Sequence, residues 1–229
     1  MKAISLSLLT FLISLSSFAQ KDTALARALD SIYISDQSLR KIYGRQPAMD
    51  SFASANDVPK GMVYPALDAE IATIDSRNMR FIRSVIKKQG YPGKSLVGER
   101  ASTVAVSVML HSNKVKAYLP LLKAAAESGE LAFRSYAVAL DYYLMHKGEE
   151  QVYGTQFGWV KFKKGGGGTI IWPVKDPEGV NERRGKAGFT STVEQSATQM
   201  SIDYKVYQLS DLEKQAKVKK PIYTPYIRR

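Results

Sequence analysis

The stretch "GEEQVYGTQFGWVKF", residues 148–162, is where the hydrophobic period of the chain changes. Before it, "ELAFRSYAVALDYYLMHK" (130–147) puts Leu131, Val138, Tyr142 and Met145 on one helical face, and Gly148 supplies a cap. From Val152 the period becomes two. "VYGTQFGWVKF" and "GTIIWPV" alternate apolar with other residues around "KKGGGG", which predicts an antiparallel hairpin over 152–174 with a loose, basic tip. The junction itself spends Gln151, Tyr153, Thr155 and Gln156 on hydrogen-bonding side chains. Two uses are open: lining a ligand site, or satisfying backbone groups that lack partners where a helix meets a sheet.

Upstream of the junction the pattern is helical, so the fold class is mainly α. About five helices pack as one bundle, with the small hairpin against it. Residues 22–44 read as a helix whose stripe is Leu25, Leu29, Ile32, Leu39 and Tyr43. Asp36 falls in the middle of that stripe, with Arg40 one turn later at its edge. Residues 66–89 repeat the design around Leu67, Ile71, Ile74, Phe81 and Val85, with Asn78 central and Asp75 on the flank. Gly90 and Pro92 stop this helix. "ERASTVAVSVMLHS" is apolar nearly all round, as a central helix should be, and His111 closes its Ala101, Val104, Val108 face. Pro120 is expected to break or restart the next helix.

Three helices thus carry one polar residue each, Asp36, Asn78 and His111, where an apolar one belongs. A carboxylate facing a core is costly unless it is paired, so Arg40 or Arg184 is expected within salt-bridge distance of Asp36. In a strand Tyr153 and Thr155 share a face and Gln156 takes the other. A bend at Gly154 would let Tyr153 and Gln156 turn toward His111 and Asp36 while Thr155 bonds backbone.

The ends differ in character. "MKAISLSLLTFLISLSSFAQ" has a basic start at Lys2, an apolar run, and small residues at Ser17 and Ala19, the plan of a signal peptide over 1–19. No later segment is apolar enough for a membrane span. Residues 20–190 are read as the helical domain, and 191–229 as an extension. Within that extension "SIDYKVYQL" has strand character, and the tail "KQAKVKKPIYTPYIRR" is basic and acid-free. The net charge of +12 favours an anionic envelope polymer or lipid surface as partner, and no nucleic-acid motif is present.

The absence of cysteine excludes disulfides, thiolate metal sites and a cysteine nucleophile. There is no His-Glu-x-x-His or Gly-x-Ser-x-Gly, and the lysines precede the glycines of "KKGGGG", which a P-loop does not allow. With only His111 and His146, a three-histidine zinc site cannot form within one chain. No metal and no cofactor is assigned. "VNERRGKAGF" adds Arg183 and Arg184, suited to holding carboxylates.

The ordered set "DQSLR", "DSRN", "QGYPGKSLVG", "LHS", "QVYGTQ" and "VNERRGKAGF" resembles domain-of-unknown-function family 6624 over about residues 25–190. The family pattern has Gln-His-Ala where Leu110, His111 and Ser112 stand here, Trp at Tyr91 and Asp at Asn181. The resemblance implies a mainly helical domain with a small β element and no known activity. The candidate ligand-binding set is Asp36, Gln37, Arg40, Asn78, His111, Gln151, Tyr153, Gln156 and Arg184. The first reading is an exported structural or interaction protein with an internal polar network. The alternatives are a glycan- or peptide-binding module, and a hydrolase-like enzyme using His111 with Asp36.

Overall fold

The computed structural model of the protein describes residues 21–112, 114–163 and 166–215; residues 1–20, the centre of the hairpin tip and the basic tail from residue 216 lie outside the described residues. Helix α1 (Thr23–Ser38) is capped by the Asp22 side chain, which accepts from the Leu25 amide. It ends earlier than the stripe suggests. Gly44 adopts positive φ, and Pro47 follows in the first turn of α2 (Gln46–Ala55). That Gly-then-Pro punctuation stops one helix and starts another, so Leu39 and Tyr43 join a separate small cluster with Met49, Ala53, Val63 and Leu67.

After a 3-10 turn at Lys60–Met62, α3 (Val63–Gln89) runs straight to Gly90, whose φ of 80° ends it. Two short helices, α4 (Lys94–Val97) and α5 (Glu99–Ser102), lead into α6 (Val104–Leu110), interrupted from α5 at Thr103. Val104, Ala105, Val106, Val108 and Met109 are all buried, so α6 is the centre of the bundle, as its composition requires. Pro120 does not break α7 (Val115–Glu127). It removes one backbone donor near the helix start, and apolar packing of Leu122, Ala125 and Ala126 outweighs that loss. Helix α8 (Phe133–Lys147) ends at Gly148 in the left-handed conformation. The main core joins α1, α3, α6, α7 and α8 through Leu29, Ile82, Met109, Leu122 and Ala139.

Strands β1 (Phe157–Lys161) and β2 (Gly167–Ile171) pair antiparallel, with Phe157 opposite Ile171 and Trp159 opposite Thr169. A Cβ at Gly167 would lie 2.1 Å from the Trp159 indole, so the tip glycine makes room for that ring. Both faces of the hairpin are covered. Val160, Ile170 and Trp172 pack with Met145 and Leu212. Ile171 and Val174 pack with Val180, Val193, Ala197 and Ile202. The last group comes from α9 (Val180–Lys186), α10 (Val193–Gln199) and the segment after it. Residues 202–208 form neither helix nor strand before α11 (Leu209–Gln215). Among the described residues, no helix is long and apolar enough to cross a membrane.

Candidate functional site

The polar residues divide into two centres, and among the described hydrogen bonds none links one to the other. The first lies where the end of α1 meets α3 and the end of α6. Asp36 is 2% exposed. Its Oδ1 lies 2.9 Å from His111 Nδ1 and 3.3 Å from Arg40 Nη1, and its Oδ2 accepts from Gln37 Nε2 at 2.7 Å. Arg40 also donates Nη1 to the Asp36 carbonyl at 2.7 Å, and Nη2 to both Asp75 oxygens at 2.7 Å. The expected arginine partner of Asp36 is therefore Arg40, while Arg184 belongs to the second centre. Burial by itself would raise the Asp36 carboxyl. The hydrogen bond and charge of His111, joined by Arg40 and Gln37, more than offset that and hold it below its ordinary value.

Exposure within this centre is graded. The side chains of Asp36, Arg40, Asp75 and His111 are 1%, 11%, 21% and 24% exposed. His111 sits at the C-terminal cap of α6, which sets its ring at the end of the buried helix rather than inside it. Nδ1 is committed to Asp36, and His111 makes no other hydrogen bond among the described residues. Since an ionised carboxylate only accepts, Nδ1 carries a proton, and Nε2 has no partner among the described residues.

Asp36, Asp75 and His111 each offer a ligand atom within 4.8 Å of the others, a spacing that a metal ion could bridge. The position is already filled by a cation. Arg40 Nη2 contacts both Asp75 oxygens while Nη1 touches Asp36, so an ion would have to displace a guanidinium already shared by the two carboxylates. Asn78, one turn beyond Asp75 on the same face of α3, is 2% exposed, and its amide nitrogen has no hydrogen-bond partner among the described residues.

The second centre explains the junction. Asp141 of α8, fully buried, reaches into the loop 151–156. Its Oδ1 accepts from the Val152 and Tyr153 amides at 2.7 and 3.1 Å; its Oδ2 accepts from the Tyr153 and Thr155 amides at 3.1 Å and from Thr155 Oγ1 at 3.0 Å. Burial pushes this carboxyl upward against the pull of those donors. Gln151, also fully buried, donates to the Gln156 and Trp172 carbonyls and accepts from the Gln156 amide. The loop's own carbonyls are held from the other side. Arg183 Nε takes Val152 at 3.0 Å, and Arg184 Nη1 takes Tyr153 at 2.9 Å. Arg184 is 3% exposed, with its remaining donors on Ser191 and Ser196 and its guanidinium 4.6 Å from the Phe189 ring centroid.

The bend at Gly154 is present, with φ 65°, and a Cβ there would lie 2.8 Å from Val193 Cγ2. Tyr153 packs between Phe133 and Phe189, each 6.5 Å away by ring centroid, and Gln156 Nε2 donates to Thr155 Oγ1. The hydrogen bonds of Gln156 thus stay within the second centre instead of reaching Asp36. Asp141 was not among the sequence candidates. It shares a four-residue spacing with Ala137 and Met145, and all three are buried.

One further concavity, about 260 Å³, lies between the hairpin and the 203–207 segment, bordered by Phe162, Thr169, Asp203, Lys205 and Tyr207. Asp203 and Lys205 neutralise each other at 2.8 Å, and no candidate acid or base lines it.

No curated protein and no solved structure matches the chain. A family model does match, over residues 56–204: the family of unknown function DUF6624. The matched span holds Asp75, Asn78, His111 and the whole second centre, while Asp36, Gln37 and Arg40 precede it. Since the match takes in more than half of the chain, this protein belongs to family DUF6624.

Proposed function

We propose that this chain is an exported envelope protein that receives a neutral or basic polar ligand, such as a glycan or peptide fragment, at His111. The second polar centre serves as scaffold. The observation that carries the reading is the division of exposure within one pair, 1% for the Asp36 side chain and 24% for His111. A buried carboxylate fixes the ring's tautomer and orientation through Nδ1, and Nε2 is left without a partner among the described residues of a part-exposed side chain. Two carboxylates share one guanidinium here, which makes the centre an acceptor for hydroxyl or ammonium donors and a poor host for anions. Export rests on the basic start, apolar run and small-residue end of residues 1–19.

A hydrolase-like role uses the same pair, with Nε2 taking a proton from water or a hydroxyl; such a base supplies roughly 10²- to 10⁴-fold in rate. A purely structural role is favoured by one observation, the Arg40 bridge that ties α1 to α3 through Asp36 and Asp75. An NMR screen of saccharide and peptide fragments separates the readings. Ligands should shift the His111 imidazole resonances, and His111→Ala should abolish their binding while changing the melting temperature little. A screen in which no fragment moves His111 would overturn the proposal and leave the structural role.

A further inference from the structure

We infer that the C-terminal half of α3 is a docking surface for a linear acidic polysaccharide. Arg77, Arg80, Arg83, Lys87 and Lys88 are all exposed. At 100° per residue they fall within one broad stripe, and they span about 16 Å of helix, with a charge at nearly every turn of about 5 Å. From residue 76 to the end of α3 there is no acidic residue. None of the five forms an ion pair among the described residues. Some other surface cations do pair, as Lys94 with Glu99, Arg100 with Asp30, and Lys186 with Glu182.

The stripe opposes helix stability. Arg77 with Arg80, Arg80 with Arg83, and Arg83 with Lys87 are like charges at three- or four-residue spacing, which repel. The helix dipole offsets this for Lys87 and Lys88 in the last turn, but its influence does not extend back to Arg77 and Arg80. Repulsion along this face is relieved by a polymer carrying regularly spaced negative groups.

A bilayer is the rival surface. Interfacial helices insert apolar side chains beside their cations. The exposed large apolar residues here are Tyr33, Ile34, Met62, Tyr64 and Val206, none of them between Arg77 and Lys88. The face therefore suits a polymer lying along it. The choice of an envelope polysaccharide rests on the export proposed above; the stripe itself is independent of His111.

The test uses the purified protein, polygalacturonate as probe, and phosphatidylglycerol vesicles as the second arm. Glutamine retains helix propensity, so R77Q/R80Q/R83Q/K87Q/K88Q removes charge with the fold checked by circular dichroism. Wild type should bind polygalacturonate in a salt-sensitive manner. The fivefold variant should bind at least tenfold more weakly, and R77Q/R80Q, the fallback if the fivefold variant misfolds, at least threefold. Deleting residues 216–229 should leave the stripe-dependent part in place. Binding by the variants within twofold of wild type, no polygalacturonate binding by wild type, or stripe-dependent binding to vesicles alone would each overturn the inference. The His111 proposal would survive any of them, since its readout is the imidazole resonance.

Discussion

Replacing Asp141 by alanine isolates what the second centre contributes. The substitution removes the acceptor for three backbone amides, those of Val152, Tyr153 and Thr155, and for the Thr155 hydroxyl. The hydroxyl can rotate to another partner, so only the three amides are stranded. Each stranded buried donor costs about 1–3 kcal/mol. Three give about 3 to 9 kcal/mol, and entry of water into the space left by the carboxylate brings the expected loss toward the lower end, about 3 to 5 kcal/mol. Against a typical total stability of about 5–15 kcal/mol, that is a large fraction. Urea denaturation followed by far-UV circular dichroism measures it, with the m-value as a check on two-state behaviour. Asp141→Asn should cost less, because one acceptor oxygen survives, while its amide group faces a donor. A loss below about 1 kcal/mol for Asp141→Ala, at unchanged m, would refute the reasoning, because the loop would then hold its shape without the carboxylate.

Four further outcomes follow from the geometry. Asp36→Ala should cost about 2–4 kcal/mol in the same urea assay, less than a fully stranded arginine would, because Arg40 retains both Asp75 oxygens. Asp36 has a lowered carboxyl pKa in the folded state, so its contribution is present above the ordinary value of 3.8 and is lost as pH falls through the lowered one. Acid denaturation of Asp36→Asn should accordingly be shallower than that of wild type. Arg40→Gln leaves Asp36, Asp75 and His111 without their resident cation; zinc or manganese should then raise the melting temperature of the variant and leave wild type unmoved. Gly154→Ala meets both a positive φ and the Val193 methyl, and should lower stability by at least about 1 kcal/mol in thermal denaturation.

Helix phase made the first centre legible. Asp36 and Asn78 stood out because Leu25 and Leu29, or Ile71 and Ile74, define a stripe that a polar residue interrupts, and both are 2% exposed. Arg40 was readable as a partner because a four-residue spacing on a helix brings side chains together. The change to period two located the hairpin, and its two strands pair as that alternation implies. Asp141 escaped because Leu140, Tyr142, Tyr143 and Leu144 surround it with apolar residues on every face, which blurs the stripe. The early stop of α1 escaped because Leu39 and Tyr43 continue the stripe beyond the helix, and the Gly44–Pro47 punctuation was the stronger signal. The destinations of Arg184, Tyr153 and Gln156 depend on contacts between residues far apart in sequence, such as Arg184 with the Tyr153 carbonyl, and local pattern does not encode them.

The proposed site depends on Asp36 holding the ring of His111 by Nδ1, which leaves Nε2 without a partner among the described residues. Long-range proton–nitrogen NMR of the imidazole, recorded where the ring is neutral, reads the tautomer directly. The protonated nitrogen should be Nδ1 in wild type, and Asp36→Ala should abolish that preference and broaden or shift the ring signals. A neutral His111 protonated at Nε2, or a tautomer indifferent to Asp36→Ala, would contradict the arrangement on which the proposed site depends.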